Sequence, residues 1–99
     1  MRRVSIVGVS GSGKTTLAKA LATAMGVRHV ELDAIFHQPG WTELPVEEFR
    51  RRVEREVTAE GWVVDGNYTA VRDIVWAAAD TVVWLDVSRR AVMGRLVRR

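Results

Sequence analysis

Cysteine is absent from the chain. That excludes a disulfide framework and any thiolate metal site, and it fits a cytoplasmic protein. Long apolar runs are also lacking, so no stretch approaches the length needed to cross a bilayer and no membrane partner is expected. The start, Met1-Arg2-Arg3 before an apolar run, has the outline of a signal peptide, but glycine at position 8 interrupts it too soon. Lysine is scarce, with two against thirteen arginines, a bias that reads as genomic base composition rather than chemistry. There is no internal repeat and no low-complexity linker, and 99 residues allow one domain with one modest core. The net charge of +3 suits a polyanionic small ligand. Between Glu47 and Glu60 arginines alternate with glutamates, the pattern of a solvated helix face rather than a nucleic-acid stripe.

What the chain does have is Gly8-Val9-Ser10-Gly11-Ser12-Gly13-Lys14-Thr15, which spells G-x-x-x-x-G-K-[ST]. This is the phosphate-binding P-loop, and its setting is right: a β-prone run from Val4 to Val7 before it and a strong helix former from Thr16 to Ala22 after it. Glycines allow a tight turn that brings several N–H groups to one phosphate, and the helix start adds its own N–H groups and dipole. Gly8, Ser10, Gly11, Ser12, Gly13, Lys14, Thr15 and Thr16 are therefore the expected nucleotide-binding residues. Lys14 follows the β- and γ-phosphates, and the Thr15 hydroxyl is the expected inner ligand of Mg²⁺. The alternative is a Gly/Ser-rich turn that merely joins strand to helix.

Other readings of the glycines fail on spacing. A dinucleotide fingerprint needs a third glycine that is not there. The sole asparagine, Asn67, precedes Tyr68, and no aspartate has glycine three residues on, so the base-reading and switch motifs of Ras-like GTPases are missing. An ABC-type Leu-Ser-Gly-Gly-Gln signature is missing too. ATP is thus expected in preference to NAD or GTP.

Along the chain, strand and helix alternate four times. Gly26 is placed to cap the first helix. His29 to Leu32 reads as a second strand ending at Asp33, with irregular chain from Ala34 to Leu44. Pro45 suits a first helical position, followed by Val46, Phe49, Val53 and Val57 at helical spacing. Gly61 ends that helix. Trp62 to Val64 is a third strand, Val71 to Ala79 a weaker helix, and Thr81 to Leu85 the clearest strand. Ser88 is placed to cap a last helix from Arg89 to Arg99. The pattern predicts an α/β fold with a parallel sheet covered on both faces.

Three aspartates, Asp33, Asp65 and Asp86, each follow an apolar strand, where ligands of parallel α/β sheets bind. Each could equally cap the next turn. Asp33, after the second strand, is placed to orient or deprotonate an acceptor hydroxyl. Asp86 follows the longer apolar run. A loop histidine such as His37 is more often a surface residue than a catalyst. Trp41 is placed either over an acceptor pocket or under its own loop, and Tyr68 within reach of the acceptor. Trp62, Trp76 and Trp84 are expected in the core.

The order of motifs resembles the nucleoside-monophosphate-kinase group of P-loop proteins. More closely it resembles the bacterial adenylate-kinase-related DNA topology modulation (FlaR-like) proteins. The resemblance covers essentially the whole chain and rests on Gly8–Thr15, Leu32–Trp41, Val63–Tyr68 and Val83–Asp86. It implies a three-layer α/β/α P-loop NTPase fold with strands ordered 2-3-1-4-5, and phosphotransfer from ATP to a nucleotide or other small acceptor. It places Asp65 beside Thr15 and the metal, ahead of Asp86, with contact to Mg²⁺ through water. It assigns Arg95 to the adenine and Arg99 to the phosphates. Relatives follow Asp-Gly with an aromatic, a proline and an arginine; here Asn67 and Tyr68 stand instead, and the next arginine is Arg72. Relatives also continue through a lid to a fifth strand and final helix. The chain is therefore expected to be a single P-loop domain over residues 1–99, truncated at its C-terminal end, with order 2-3-1-4. A nucleotide-dependent regulatory or DNA-associated module, or a catalytically incomplete fragment, is the alternative.

Overall fold

β1 (Arg3–Gly8) lies between two neighbours and buries its four central residues, so it reads as a continuous apolar run. The computed structural model describes residues 1–8, 13–38, 42–85 and 91–95. After β1 come α1 (Lys14–Met25), β2 (Arg28–Glu31), α2 (Leu32–Phe36), β3 (His37–Gln38), β4 (Thr42–Glu43) and α3 (Val46–Glu56). Then follow β5 (Trp62–Asp65), α4 (Thr69–Ala78), β6 (Thr81–Leu85) and β7 (Ala91–Arg95).

The sheet runs β2-β5-β1-β6-β7, and its first four strands are parallel. That is the expected order 2-3-1-4. Alternation of side chains sends Val4, Ile6, Val63 and Val83 to one face, where Ala18 and Ala22 of α1 cover them. Val30, Leu32, Trp62 and Val64 meet Phe49 and Val53 of α3 and Val71 and Val75 of α4 on the other face. The result is three layers, α/β/α. Gly26, at φ 69°, closes α1 by donating its N–H to the end of the helix, as its position suggested.

Four expectations change. Strand β2 stops at Glu31, because Leu32 turns inward to start α2, so Asp33 lies in a helical first turn rather than at a strand end. The segment expected to be irregular instead holds α2 and the β3–β4 hairpin, closed by Leu44 N–H donating to Phe36 C=O at 3.0 Å. Pro45 caps α3 from outside, at ψ 145°, rather than opening it. Finally, residues 91–95 form an antiparallel strand on β6 in place of the expected helix. The exposed edge of β6 offers a row of unpaired backbone groups, and β7 satisfies them, so an antiparallel strand is added beside the expected order 2-3-1-4.

Candidate active site

The carboxyl ends of the parallel strands converge on one cleft of about 820 Å³. β1 delivers Gly8 to it, and the chain re-enters the described structure at Gly13, whose φ of 90° is left-handed backbone that suits glycine. α1 then starts with no side-chain cap and no acidic residue in its first turn. Its first N–H groups have no partner within the helix. Thr15 and Thr16 are exposed there, and Lys14 lines the cleft. Among the described residues no carboxylate forms an ion pair with Lys14. A cation, an uncapped helix start and a left-handed glycine at one mouth fit phosphate. Ser10, Gly11 and Ser12 lie outside the described residues, as do Trp41, Asp86, Ser88 and Arg99.

Asp65 ends β5 and is only 4% exposed. Standing two residues after Val63, it projects to the α1 face. There it accepts a hydrogen bond from His29 Nε2–H of β2. His29 was not singled out in the sequence; the signal is the register that pairs β2 with β5, which no local pattern contains. Thr15 at the start of α1 is exposed and Asp65 is buried under the same helix layer, and neither lines the cleft that holds Lys14 and Asp33. Among the described residues no three His, Asp or Glu side chains cluster as a dedicated metal cage.

Another part of the cleft is built by α2 and the start of α4. Asp33 lines the cleft and accepts the Tyr68 hydroxyl at 2.5 Å, and Tyr68 Oη also lies 3.5 Å from His37 Nε2. The Tyr68 ring packs against Phe36 and Phe49 at centroid distances of 5.1 and 5.3 Å. Burial, then the hydrogen bond to Asp33, then the negative charges of Asp33 and Glu43 push the Tyr68 phenol well above its ordinary range. His37 is exposed, as the sequence suggested, and it does not line the cleft.

Gly66 makes this corner possible. Its φ is 130°, and a Cβ there would lie 2.9 Å from Leu32 Cβ. Beyond it, Arg72 donates to Asn67 Oδ1 at 3.0 Å and lies over the Trp76 ring, and all three line the cleft. The tryptophans divide. Trp62 is fully buried, its Nε1–H donating to Val57 C=O. Trp76 is half-buried, and Trp84, expected in the core, is exposed and lines the cleft. Trp76 of α4 meets it edge-on, with ring centroids 6.4 Å apart.

The backbone of Arg95 pairs with Thr81, at the opposite end of β6 from Leu85 and the cleft. Four residues of strand separate them, about 13 Å. That placement does not support a nucleotide contact for Arg95, which required a helix over these residues. The side chain of Arg95 is outside the described residues.

A family model described as an AAA domain matches residues 4–99. A shikimate kinase of a Synechococcus species is 32% identical over 105 residues, covering 92% of this chain and 54% of the kinase. A cytidylate kinase of Pyrococcus horikoshii is 31% identical over 113 residues, covering 97% of this chain and 56% of that protein. The crystal structure of an unliganded sugar kinase from a Janibacter species matches with a TM-score of 0.52 and 27% identity, over 88% of this chain and 60% of its own. The chain spans about half the length of these curated relatives. With the P-loop, the strand order and a match over residues 4–99 in agreement, the chain belongs to the AAA-domain family, within the kinase-like group of P-loop NTPases.

Proposed function

We propose that the chain is a P-loop nucleotide-binding domain, covering residues 1–99, that serves transfer of the ATP γ-phosphate to a hydroxyl of a small-molecule or nucleotide acceptor. The observation that carries this reading is the placement of Lys14 and Asp33 in one cleft at the carboxyl ends of the strands. Gly8, Ser10, Gly11, Ser12, Gly13, Thr15 and Thr16 would cradle the phosphates with Lys14. Thr15, and Asp65 through water, would hold Mg²⁺, which when bound offsets charge on the phosphates. Asp33 would orient the acceptor hydroxyl, held in its rotamer by Tyr68. Catalysis of this kind is positioning and charge stabilisation. The kinships with shikimate, cytidylate and sugar kinases support a small acceptor.

The closer kinship with DNA topology modulation proteins rests on residues 32–41, 63–68 and 83–86 of the sequence alone. A DNA-binding role gains little from the structure. Arg28, Arg50, Arg51 and Arg52 are each ion-paired to a carboxylate of the same chain.

Thermal unfolding with and without Mg²⁺·ATP tests the proposal. Ligand at a hundred times its Kd adds about 2.7 kcal/mol, which raises the midpoint of a domain this size by on the order of ten degrees. The rise is expected in the wild type and absent in Lys14→Ala. An equal rise in both proteins removes the P-loop from the binding site.

A further inference from the structure

We infer that the free edge of β7 is a docking surface for a second copy of this chain, whose own β7 pairs with it antiparallel. The inference goes beyond the kinase reading and does not depend on it. β2 and β7 are the two outer strands of the sheet, and they are finished differently. β2 is four residues long and carries Arg28 and Glu31, the short and charged kind of edge that resists pairing. β7 is Ala91-Val92-Met93-Gly94-Arg95, with one charge at its end and no proline. Val92 is 60% exposed and Met93 61%. As neighbours in a strand they point to opposite faces, so this edge is apolar on both. Its outer N–H and C=O groups have no strand partner among the described residues.

Side-chain shape selects a second copy as the occupant. Val92 pairs with Trp84 and Gly94 with Val82, so Val92, Trp84 and Gly94 share one face of the sheet. The Trp84 ring leans across Gly94, where a Cβ would lie 3.4 Å from Trp84 Cζ3. Glycine inside a strand marks a place where another chain comes close. A twofold axis through Met93, perpendicular to the sheet, sets each Val92 opposite the partner's Gly94. Each valine then fills the space of the missing side chain and covers the outer edge of the partner's Trp84 ring. On the other face the two Met93 side chains meet at the axis, and their flexible thioethers pack together. A shift of two residues in either direction loses both contacts, so the register is specified.

The pairing joins two five-stranded sheets into one, with both α1 layers on the same side. It uses up the β7 edge of each copy, so association closes at two. Trp84 lines the cleft, and the partner's Val92 therefore borders it. A strand of five residues is about 17 Å long. Its pairing buries well under the roughly 1,200 Å² of a stable interface. The dimer is therefore weak, with a Kd on the order of tens of micromolar.

Sedimentation velocity of the intact chain between about 1 and about 500 µM tests the inference. The coefficient is expected to rise from that of a monomer to that of a dimer and to stop there. Met93→Lys and Met93→Glu each set like charges face to face across the axis, and each alone should be monomeric. Residue 93 meets itself only in this register, so an equal mixture of the two variants should dimerise again. Both substitutions fall on an exposed position, and a thermal midpoint near that of the wild type checks that each folds. Val92→Ser, on the opposite face, is the second probe and should weaken association about tenfold. A wild type that stays monomeric at the top of the range, or that assembles beyond two copies, would overturn the inference. So would a Met93→Lys protein that dimerises alone, a mixture that stays monomeric, or unchanged association in Val92→Ser.

Discussion

Asp65 and Tyr68 stand three residues apart yet sit in opposite settings. Asp65 is buried on the α1 face with His29 as partner, whereas Tyr68 reaches into the cleft to Asp33. Asp65→Asn keeps the shape but removes the negative charge. Mg²⁺-dependent turnover should fall by two orders of magnitude or so, while the ATP-induced rise in midpoint should fall by much less. Comparable losses in both would remove Asp65 from the metal site. Tyr68 offers a cleaner optical test, since it is the sole tyrosine of the chain. Its phenol is raised by burial first and by its hydrogen bond to Asp33 second. The unfolded chain loses that proton near pH 10, roughly the ordinary value for tyrosine, but the folded chain retains it. The contribution of Tyr68 to stability is therefore complete below pH 10 and is lost as pH rises further. Tyrosinate absorbance should appear only together with unfolding, and Tyr68→Phe should show a shallower alkaline loss of stability. Tyrosinate forming at ordinary pH in the folded protein would show that the bond to Asp33 is not held in solution.

At the scale of elements, the turn between β5 and α4 sets the shape of the cleft beside Asp33 and Tyr68. Gly66→Ala must place a Cβ at φ 130° and 2.9 Å from Leu32 Cβ, so α2 has to shift. A cost of about 2–4 kcal/mol is expected from urea unfolding, strain and overpacking together, with a larger relative loss of acceptor binding than of ATP binding. A neutral substitution would mean that α2 yields easily. The same corner marks the limit of what the sequence reveals. β1, α1, α3, β5 and β6 were legible because each is written in local periodicity: Val46, Phe49, Val53 and Val57 on one helix face, or Thr81 to Leu85 as a buried run. α2 was not, since five residues carry too little periodicity and its start depends on Leu32 packing under Gly66. β7 was not, because its conformation is dictated by the open edge of β6, a partner that the motif-based helix over 89–99 did not consider. Within the site, Lys14 and Asp33 were legible from motif and position, while the His29–Asp65 pair and the exposed face of Trp84 depend on register and on which layer covers which strand.

Over the whole molecule, the two rims of the sheet are built differently. At the rim away from the cleft, Arg2 and Arg3 N–H groups donate to Asp80 Oδ2 at 2.9 and 3.2 Å, and the Thr81 hydroxyl donates to Oδ1. Arg2 C=O accepts from Trp62 N–H, Arg3 C=O accepts from Asp80 N–H, and Arg3 Nε–H donates to Ala59 C=O. Burial opposes ionisation of Asp80, but these donors outweigh it and hold the carboxyl below its ordinary value. Its contribution to stability is present above about pH 4, the unfolded value, and is lost as pH falls through the lower folded value. Asp80→Asn should therefore cost about 1–3 kcal/mol at neutral pH and flatten the acid limb of a stability profile taken from pH 7 downward. An unchanged acid limb would place the titrating group elsewhere. Because the first strand is riveted to its neighbours at this far rim, the chemistry at the other rim carries little of the burden of cohesion. The exposed cleft residues Asp33, Asn67 and Arg72 lie apart from that far rim and outside the core. That separation is the physical condition under which one scaffold diversifies into many specificities.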